Sequence, residues 1–327
     1  IDILKQGGSA VDAAIAANAA LGLMEPTGNG IGGDLFAIVW DPKTQQLYGY
    51  NGSGRSPVGR DLDALLSAIE AMKSGGQLPK DYRGIPSHGS LAVTVPGTVD
   101  GWFALHERWG ALDMDEVLAP AAEYAEIGFP MSPVIAAAFA ANQRRFEQRE
   151  SMIEELDNAR ALYFPEGVAP AVGTMFRNPD LAKTLRTLGA EGRASFYQGR
   201  LAEQMADYFE AIDADLTAAD LANHVGEWVE PRGVDYHGAT LWELPPNGQG
   251  FAALMMLNII KQADVAEMER GSAELFHLMV EAKRLAFEAM AQTFADPVFA
   301  QIPVDQLLSD KFAEEQYARI TPDKVLT

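Results

Sequence analysis

The sequence predicts a helix-rich α+β protein, and three observations support this prediction. Helical periodicity dominates residues 98–220, where apolar side chains recur every three or four positions. Two short runs, residues 35–40 and 46–51, lie on either side of a break at Asp41-Pro42 and predict a β-hairpin. No repeat, low-complexity tract or linker interrupts the chain, so the simplest organisation is one domain over residues 1–327.

The remaining elements follow from the same periodicities. Ser9 is the expected N-cap of a helix that follows Gly7-Gly8, with Asp12 in the capping-box position. This helix, residues 11–23, is apolar on every side and is therefore expected to be buried. Further helices are predicted at residues 62–72, 99–108, 114–127, 133–149, 180–188, 200–212, 216–223, 250–261, 273–291 and between 303 and 317, and further strands at 91–95 and 234–244.

Charge and composition exclude several classes of function. The net charge of −21, from 46 acidic and 25 basic residues, argues against nucleic acid and anionic membrane surfaces as partners. The chain has no cysteine, which excludes disulfides, Cys-ligated zinc, iron–sulfur clusters and a thiol nucleophile. A chain without cysteine suits any redox environment, so a periplasmic or secreted and a cytoplasmic location both stay open. Residues are expected upstream of Ile1, because the chain opens into a helical pattern with neither a cap nor an initiating methionine.

No complete active site is evident from the residues themselves. Residues 28–33 satisfy G-x-G-x-x-G, but a helix precedes them and a strand follows, the reverse of a dinucleotide-binding loop. The five histidines lack metal-ligand spacing, and a structural or surface role is expected for each. No G-x-S-x-G elbow is present.

Two polar segments remain unusual. Residues 51–57 place Arg55 in a turn at a strand end, where a guanidinium can bind a carboxylate through two parallel hydrogen bonds. A solvated turn arginine is the alternative. Residues 244–250 predict a tight connection from a strand to a helix and carry no catalytic signal of their own.

The order of sequence blocks along the chain is more informative than any one of them. The blocks are residues 3–14 (ILKQGGSAVDAA), 30–36 (GIGGDLF), 95–101 (VPGTVDG), 180–185, 196–199, 216–221 with Trp228 and Glu230-Pro231, 244–250 with 257–260, and 295–297 with 302–304 and 307–309. In this order they resemble the large subunit of the gamma-glutamyltranspeptidase family over nearly the whole chain.

The resemblance implies a particular fold and division of labour. The implied fold is that of N-terminal-nucleophile hydrolases, a four-layer αββα sandwich shared with a small subunit cut from the same precursor. The implied nucleophile is a Thr that begins the small subunit and uses its own α-amine as base. No Thr-Thr pair occurs in this sequence, so no catalytic residue is expected in this chain. The implied reaction transfers a γ-glutamyl-type acyl group from an amide to water or an amine, without a metal or an organic cofactor.

One departure from the family pattern concerns the substrate. In transpeptidases the Arg that holds the substrate carboxylate lies four residues before a Pro and is followed by Glu. Here Ser53 has that position, and Arg55 lies two residues before Pro57. Arg55 and Ser53 are therefore the candidate substrate-binding residues. Three functions stay open: a γ-glutamyl enzyme, an acylase of the cephalosporin (glutaryl) type, and a non-catalytic acidic scaffold or binding module.

Overall fold

A computed structural model describes residues 1–326, which form two compact units. Unit 1 comprises Ile1–Leu35 and Gly52–Gly226, and unit 2 comprises Phe36–Asn51 and the chain from Glu227 onward. Each unit has its own buried apolar residues. The prediction of one domain over residues 1–327 stays a prediction.

Helices outnumber strands in the described residues, as the sequence predicts. The helices are α1 (Asp2–Lys5), α2 (Ala10–Met24), α3 (Leu62–Ser74), α4 (Thr98–Trp109), α5 (Met114–Ile127), α6 (Pro133–Arg149), α7 (Asp157–Tyr163), α8 (Pro179–Glu191), α9 (Ala194–Tyr197), α10 (Arg200–Ala211), α11 (Ala218–Ala222), α12 (Gly250–Ile260), α13 (Ala273–Thr293), α14 (Val304–Leu307) and α15 (Asp310–Tyr317), with 3-10 turns at Ser90–Ala92, Glu150–Met152 and Val265–Glu267. The strands are β1 (Leu35–Asp41), β2 (Gln46–Gly52), β3 (Phe129–Pro130), β4 (Met175–Phe176), β5 (Glu227–Val229), β6 (Arg232–Tyr236) and β7 (Ala239–Glu243). None of the described helices is both long and apolar enough to cross a membrane.

Local caps explain why several helix boundaries were predictable. The Ser9 hydroxyl accepts a hydrogen bond from the Asp12 amide at 3.0 Å, and the Asp12 carboxylate accepts one from the Ser9 amide at 2.8 Å. This confirms the predicted capping box at the start of α2. Thr217 caps α11 in the same way.

Helix α2 differs from its prediction on one side. Ile15, Ala19 and Leu23 are buried, but Ala14, Ala17 and Leu21 lie on an exposed stripe, and Leu21 is 43 % exposed. The expectation of a helix buried all round is therefore wrong for this chain. An apolar composition on every side shows that each side of the helix can be buried. It does not show whether this chain or another polypeptide covers a given side.

The strand predicted at residues 91–95 is wrong. Ser90–Ala92 is a 3-10 turn, and the segment runs on to α4 without joining a sheet. The Arg60 guanidinium occupies its carbonyl groups instead, donating to Ser90 at 3.1 Å, to Leu91 at 2.9 Å and to Val93 at 3.2 Å. An arginine 30 residues away in sequence satisfies the backbone where a neighbouring strand was expected.

The single strand predicted at residues 234–244 is a hairpin. Strands β6 and β7 pair antiparallel, with Tyr236 opposite Ala239. His237 and Gly238 form the two-residue turn with φ values of 50° and 83°. Two consecutive positive φ angles are typical of the type I′ turn that matches the twist of paired strands.

Unit 2 also contains the predicted β1–β2 hairpin, extended by β5 into a sheet of order β1-β2-β5. Tyr50 of β2 is buried and lies opposite Trp228 of β5, and their rings meet edge to face at 4.9 Å. Strand β1 lies at an edge of this sheet. Along it, alternate residues are exposed, and all three are large and apolar: Phe36, Ile38 and Trp40.

Each unit packs its longer helices around an apolar core. In unit 1, α5 packs against α2 and α8, and Leu23, Ala125 and Phe176 belong to one buried cluster. In unit 2, α12 packs against α13 and against the β6–β7 hairpin. Phe251 and Leu254 of α12 have no exposed surface, which explains its uninterrupted run of apolar residues.

Candidate functional site

Two glycine-containing loops of unit 1 are bound to each other. The backbone amides of Gly97 and Thr98, at the start of α4, both donate to the Gly33 carbonyl oxygen at 2.9 Å. The Thr98 hydroxyl oxygen also lies 2.9 Å from the Gly33 carbonyl oxygen. Residues 30–34 are thereby held on the first turn of α4.

A third segment, residues 52–55, joins the same assembly. The Gly54 amide donates to the Asp34 carboxylate at 2.9 Å, and the Val95 amide donates to the Arg55 carbonyl oxygen at 3.0 Å. The backbone around Arg55 is therefore fixed from both neighbouring loops, although its side chain is exposed.

Glycine is required where these loops cross. A Cβ atom on Gly54 would lie 1.8 Å from the Val95 carbonyl oxygen, and one on Gly97 would lie 1.9 Å from the Gly52 carbonyl oxygen. No side chain fits at either distance, so these glycines permit the close backbone approach. The two candidate residues, Ser53 and Arg55, lie on either side of Gly54 in this crossing; Ser53 is half-buried.

Beneath the crossing lies a buried polar cluster centred on Asp100. The Asp100 carboxylate accepts hydrogen bonds from Arg193 Nε at 2.5 Å and from the Gly226 amide at 2.9 Å. The Asp100 amide donates to the Tyr197 hydroxyl at 3.0 Å, and that hydroxyl donates to the Pro96 carbonyl oxygen at 2.7 Å. The Arg193 guanidinium also lies 4.4 Å from the centroid of the Tyr197 ring. The cluster therefore anchors the loop before α4 to α9.

His224 completes the cluster as a neutral side chain. Its ring is buried, and Nε2 lies 4.0 Å from Asp100 with no hydrogen-bond partner among residues 1–326. Burial lowers the pKa of His224 more than the charge of Asp100 raises it, and Arg193 lowers it further. The charges of Asp34 and Arg55 also act on this pKa, so the loop crossing lies close enough to His224 to be felt electrostatically.

The arrangement presents a cationic side chain. Arg55 lies on a loop whose backbone is held by hydrogen bonds to Asp34 and Val95, and its exposed guanidinium is the group of this loop that suits an anionic ligand. No group of three or more His, Cys, Asp or Glu side chains among the described residues is arranged to hold a metal ion.

A comparison with known families decides the assignment. The sequence profile described as Gamma-glutamyltranspeptidase matches residues 1–327, the whole chain. The chain belongs to the gamma-glutamyltranspeptidase family.

Individual members of this family agree in sequence and in structure. The glutathione hydrolase-like YwrD proenzyme of Bacillus subtilis is 36 % identical over 315 residues, which cover 96 % of this chain and 56 % of that protein. The crystal structure of a cephalosporin acylase from Bacillus halodurans superposes with a TM-score of 0.86 at 39 % identity, covering 98 % of this chain and 57 % of that one. Gamma-glutamyltranspeptidase of Helicobacter pylori gives a TM-score of 0.87 at 27 % identity, covering 99 % and 89 %.

These comparisons confirm the predicted fold, a helix-rich α+β chain of the N-terminal-nucleophile hydrolase type. The chain spans little more than half the length of the curated family members that it matches. The family resemblance inferred from ordered sequence blocks is likewise confirmed.

The sequence predicts Ser53 and Arg55 as substrate-binding residues, and the structure places both at the loop crossing. Their role in binding substrate stays a prediction. The cluster of Asp100, Arg193 and His224 was not predicted, because its members are far apart in sequence. The block containing residues 95–101 carried a family signal, but nothing local indicated that Asp100 is buried. Residues 244–250 form a turn before α12, where the Asn247 side chain accepts a hydrogen bond from that of Asn51 at 3.1 Å.

Proposed function

We propose that this chain is the large-subunit part of a self-processed amidohydrolase that transfers γ-glutamyl-type acyl groups to water or to an amine. The observation that carries the proposal is the family match over all 327 residues, combined with a rigid loop that presents Arg55. The relatives named as proenzymes support processing of a common precursor. The Helicobacter pylori chain, of which 89 % is covered, further supports a boundary between subunits in the family.

In this proposal the partner subunit supplies the nucleophile. Its N-terminal Thr hydroxyl attacks the amide carbonyl carbon, and its own α-amine takes up the proton. The C–N bond then breaks, the amine leaves with that proton, and an acyl–Thr ester remains. Water or a second amine attacks the ester and restores the Thr. The residues of this chain bind and orient the acyl group before attack.

Arg55 is the proposed ligand of the substrate carboxylate. A guanidinium presents donors in a planar fork that fits a carboxylate, and the bond is stronger than one between neutral groups. Backbone hydrogen bonds to Asp34 and Val95 hold the loop before the substrate arrives, so little ordering is needed on binding. Ser53, two residues earlier, is proposed to donate a second hydrogen bond.

The exposed face of β1 supports a partner polypeptide. Phe36 is 50 % exposed, Ile38 38 % and Trp40 56 %, and all three lie on one face of an edge strand. Such an apolar face on an unpaired edge favours association. We propose that the remaining part of the precursor covers it, because the curated relatives are nearly twice as long as the matched region.

A glutaryl group is the second candidate for the acyl group, and the similarity to a cephalosporin acylase supports it. The cephalosporin acylase structure shares 39 % identity with this chain, compared with 27 % for the Helicobacter pylori transpeptidase. The shifted spacing of Arg55 relative to Pro57 agrees with a pocket altered around the amino-acid head of the substrate. A glutaryl group has the carboxylate but lacks the α-ammonium group, and it is the second candidate.

The test is steady-state kinetics of the processed protein on γ-glutamyl and glutaryl anilides. Arg55→Ala is expected to raise KM for the preferred anilide by about 10- to 100-fold, because the variant loses a charge-assisted bidentate contact with the substrate carboxylate. Arg55→Lys should recover only part of this, because an ammonium lacks the planar fork. A larger kcat/KM for the glutaryl substrate would select the acylase function.

Arg83→Ala is the matched control, since Arg83 is an exposed loop arginine of the same unit. The control is expected to match the wild type. An unchanged KM in Arg55→Ala, with either anilide, would disprove the carboxylate role. If the processed wild type turned over neither anilide, the proposed acyl-transfer reaction would be disproved.

A further inference from the structure

A basic cleft in unit 1 is separate from the loop crossing. Its volume is about 430 Å³, within the range of small-molecule sites. Its lining side chains are Ser87, His88, Ala141, Arg144, Arg145, Gln148 and Arg149. The lining contains three arginines and a histidine but no carboxylate. This composition is unexpected in a chain with 46 acidic and 25 basic residues.

The three arginines lie near the C-terminal end of α6, and all are exposed. Arg145 donates to the Asn142 side chain at 2.9 Å, and Arg149 lies 3.8 Å from the Met152 sulfur. None of the three arginines forms an ion pair with a carboxylate in the described part of the chain. Elsewhere, ion pairs join Arg60 to Asp215, Arg160 to Glu150, Arg186 to Glu126, Arg193 to Asp100, Arg232 to Asp305, Arg284 to Glu281 and Arg319 to Glu288.

The carboxylates nearest in sequence have other partners. Glu147, on the same helix, accepts a hydrogen bond from Gln143 at 3.3 Å. Glu150, one residue beyond the helix, is bound by Arg160 at 2.7 Å. Neither carboxylate is paired with an arginine of the cleft, so a bound anion would supply the ion-pair partner that the described carboxylates do not.

His88 faces the same cleft from the loop before α4. Its Nδ1 lies 2.8 Å from the Ser87 hydroxyl, so Nε2 carries the proton in the tautomer whose Nδ1 accepts from that hydroxyl. Burial lowers the pKa of His88, and the charges of Arg149 and Arg145 lower it further. A bound anion would oppose these two charges, which makes the His88 ring a reporter of occupancy.

We propose that this cleft binds a small multivalent oxyanion, recognised by Arg144, Arg145 and Arg149. Guanidinium groups bind phosphate and carboxylate oxygens in the same bidentate geometry, so a phosphate group and a polycarboxylate share the required chemistry. A multivalent anion fits better than chloride, because three cations act on it together and because a fork needs two acceptor oxygens.

The experiment is an NMR pH titration of the histidine rings in the full processed protein. Inorganic phosphate and citrate are added separately, with sodium chloride at matched ionic strength as reference. A saturable rise in the pKa of His88 with phosphate alone identifies a phosphate site, and a rise with citrate alone identifies a polycarboxylate site. A rise with both supports a general oxyanion site. An equal rise with chloride, or no rise with any of them, overturns the proposal.

Variants show whether the arginines cause the effect. The double variant Arg145→Ala/Arg149→Ala is expected to weaken anion binding by at least about tenfold, because it removes two charge-assisted contacts. The double variant Arg83→Ala/Arg270→Ala removes an equal charge from exposed positions outside the cleft lining and should bind as the wild type does. All these side chains are exposed, and an unchanged melting temperature checks that each variant folds. Equal weakening in Arg83→Ala/Arg270→Ala would show that net charge, and not the cleft, holds the anion.

Discussion

Replacing Gly54 by alanine tests whether the loop crossing positions Arg55. The new methyl carbon would lie 1.8 Å from the Val95 carbonyl oxygen, a separation that real contacts keep above 3.0 Å. The obstacle is backbone rather than a flexible side chain, so the loops must separate by more than about 1 Å. That movement strains two hydrogen bonds, from the Gly54 amide to Asp34 and from the Val95 amide to Arg55.

The expected cost follows from these contacts. Each hydrogen bond contributes about 1 kcal/mol, so the variant is expected to lose about 2 kcal/mol of unfolding free energy. Displacing a substrate-positioning group by about 1 Å can reduce kcat/KM by about 100-fold. Because Gly54→Ala acts through Arg55, the double variant Gly54→Ala/Arg55→Ala should be little worse than Arg55→Ala alone.

The assay is kcat/KM on the preferred anilide, with thermal unfolding measured on the same samples. Gly59→Ala is the matched control, because Gly59 lies in the same loop and a Cβ there meets nothing within 4 Å. Gly59→Ala should behave as the wild type in both measurements. If Gly54→Ala retained kcat/KM within twofold of the wild type, the crossing would not position the substrate-binding group.

Two further predictions concern acid stability and assembly. Burial raises the pKa of Asp12, but hydrogen bonds from four donors lower it below its ordinary value of 3.8. The ionised carboxylate therefore stabilises the fold above about pH 4, and this stabilisation is lost as the pH falls through the folded-state value. Asp12→Asn should remove that pH dependence and lower the free energy of unfolding by about 2 kcal/mol at neutral pH. Asp2→Asn, at an exposed site, should change neither. Denaturant unfolding at several pH values checks both variants. Trp40→Glu is expected to reduce co-purification of the partner subunit with the tagged large chain, because it places a charge on the exposed face of β1. Phe299→Glu, at a more exposed site of the same unit, should not reduce it, and equal recovery from both variants would contradict a partner on β1.

Locally encoded parts of the fold were predictable. The bounds of α5 and α6 match the predictions residue for residue, because caps lie beside the helices: Asp113 with Glu116 at α5, and Ser132 before Pro133 at α6. Tertiary contacts decided the failures. Residues 91–95 have the local pattern of a strand, but the Arg60 guanidinium binds carbonyl groups of this segment. No local pattern in the sequence connects Arg60 to it.

The hairpin β6–β7 failed for a different reason. The His237-Gly238 pair was a turn signal within an otherwise alternating run, but histidine is not among the residues that usually adopt positive φ at this position. A turn formed by a residue pair less typical than Asn-Gly is easily missed, and the two strands are then predicted as one. The turn is nevertheless local, so this boundary was recoverable from the sequence.

The candidate site also combines a locally indicated residue with residues that only folding brings together. Arg55 became a candidate through its place two residues before Pro57 in a family block, and its role in binding substrate stays a prediction. Asp100, Arg193 and His224 were not recognisable, because each is an ordinary helix or loop residue until folding buries them together. The glycine requirement at Gly54 was equally hidden, since it comes from the Val95 carbonyl 41 positions along the chain.

Intact-mass spectrometry of the active protein, expressed from its complete coding sequence, tests the central claim most directly. We expect two polypeptides, one containing residues 1–327 and a second whose first residue is Thr with a free amine. A fully active preparation that consists of one uncut polypeptide would contradict it.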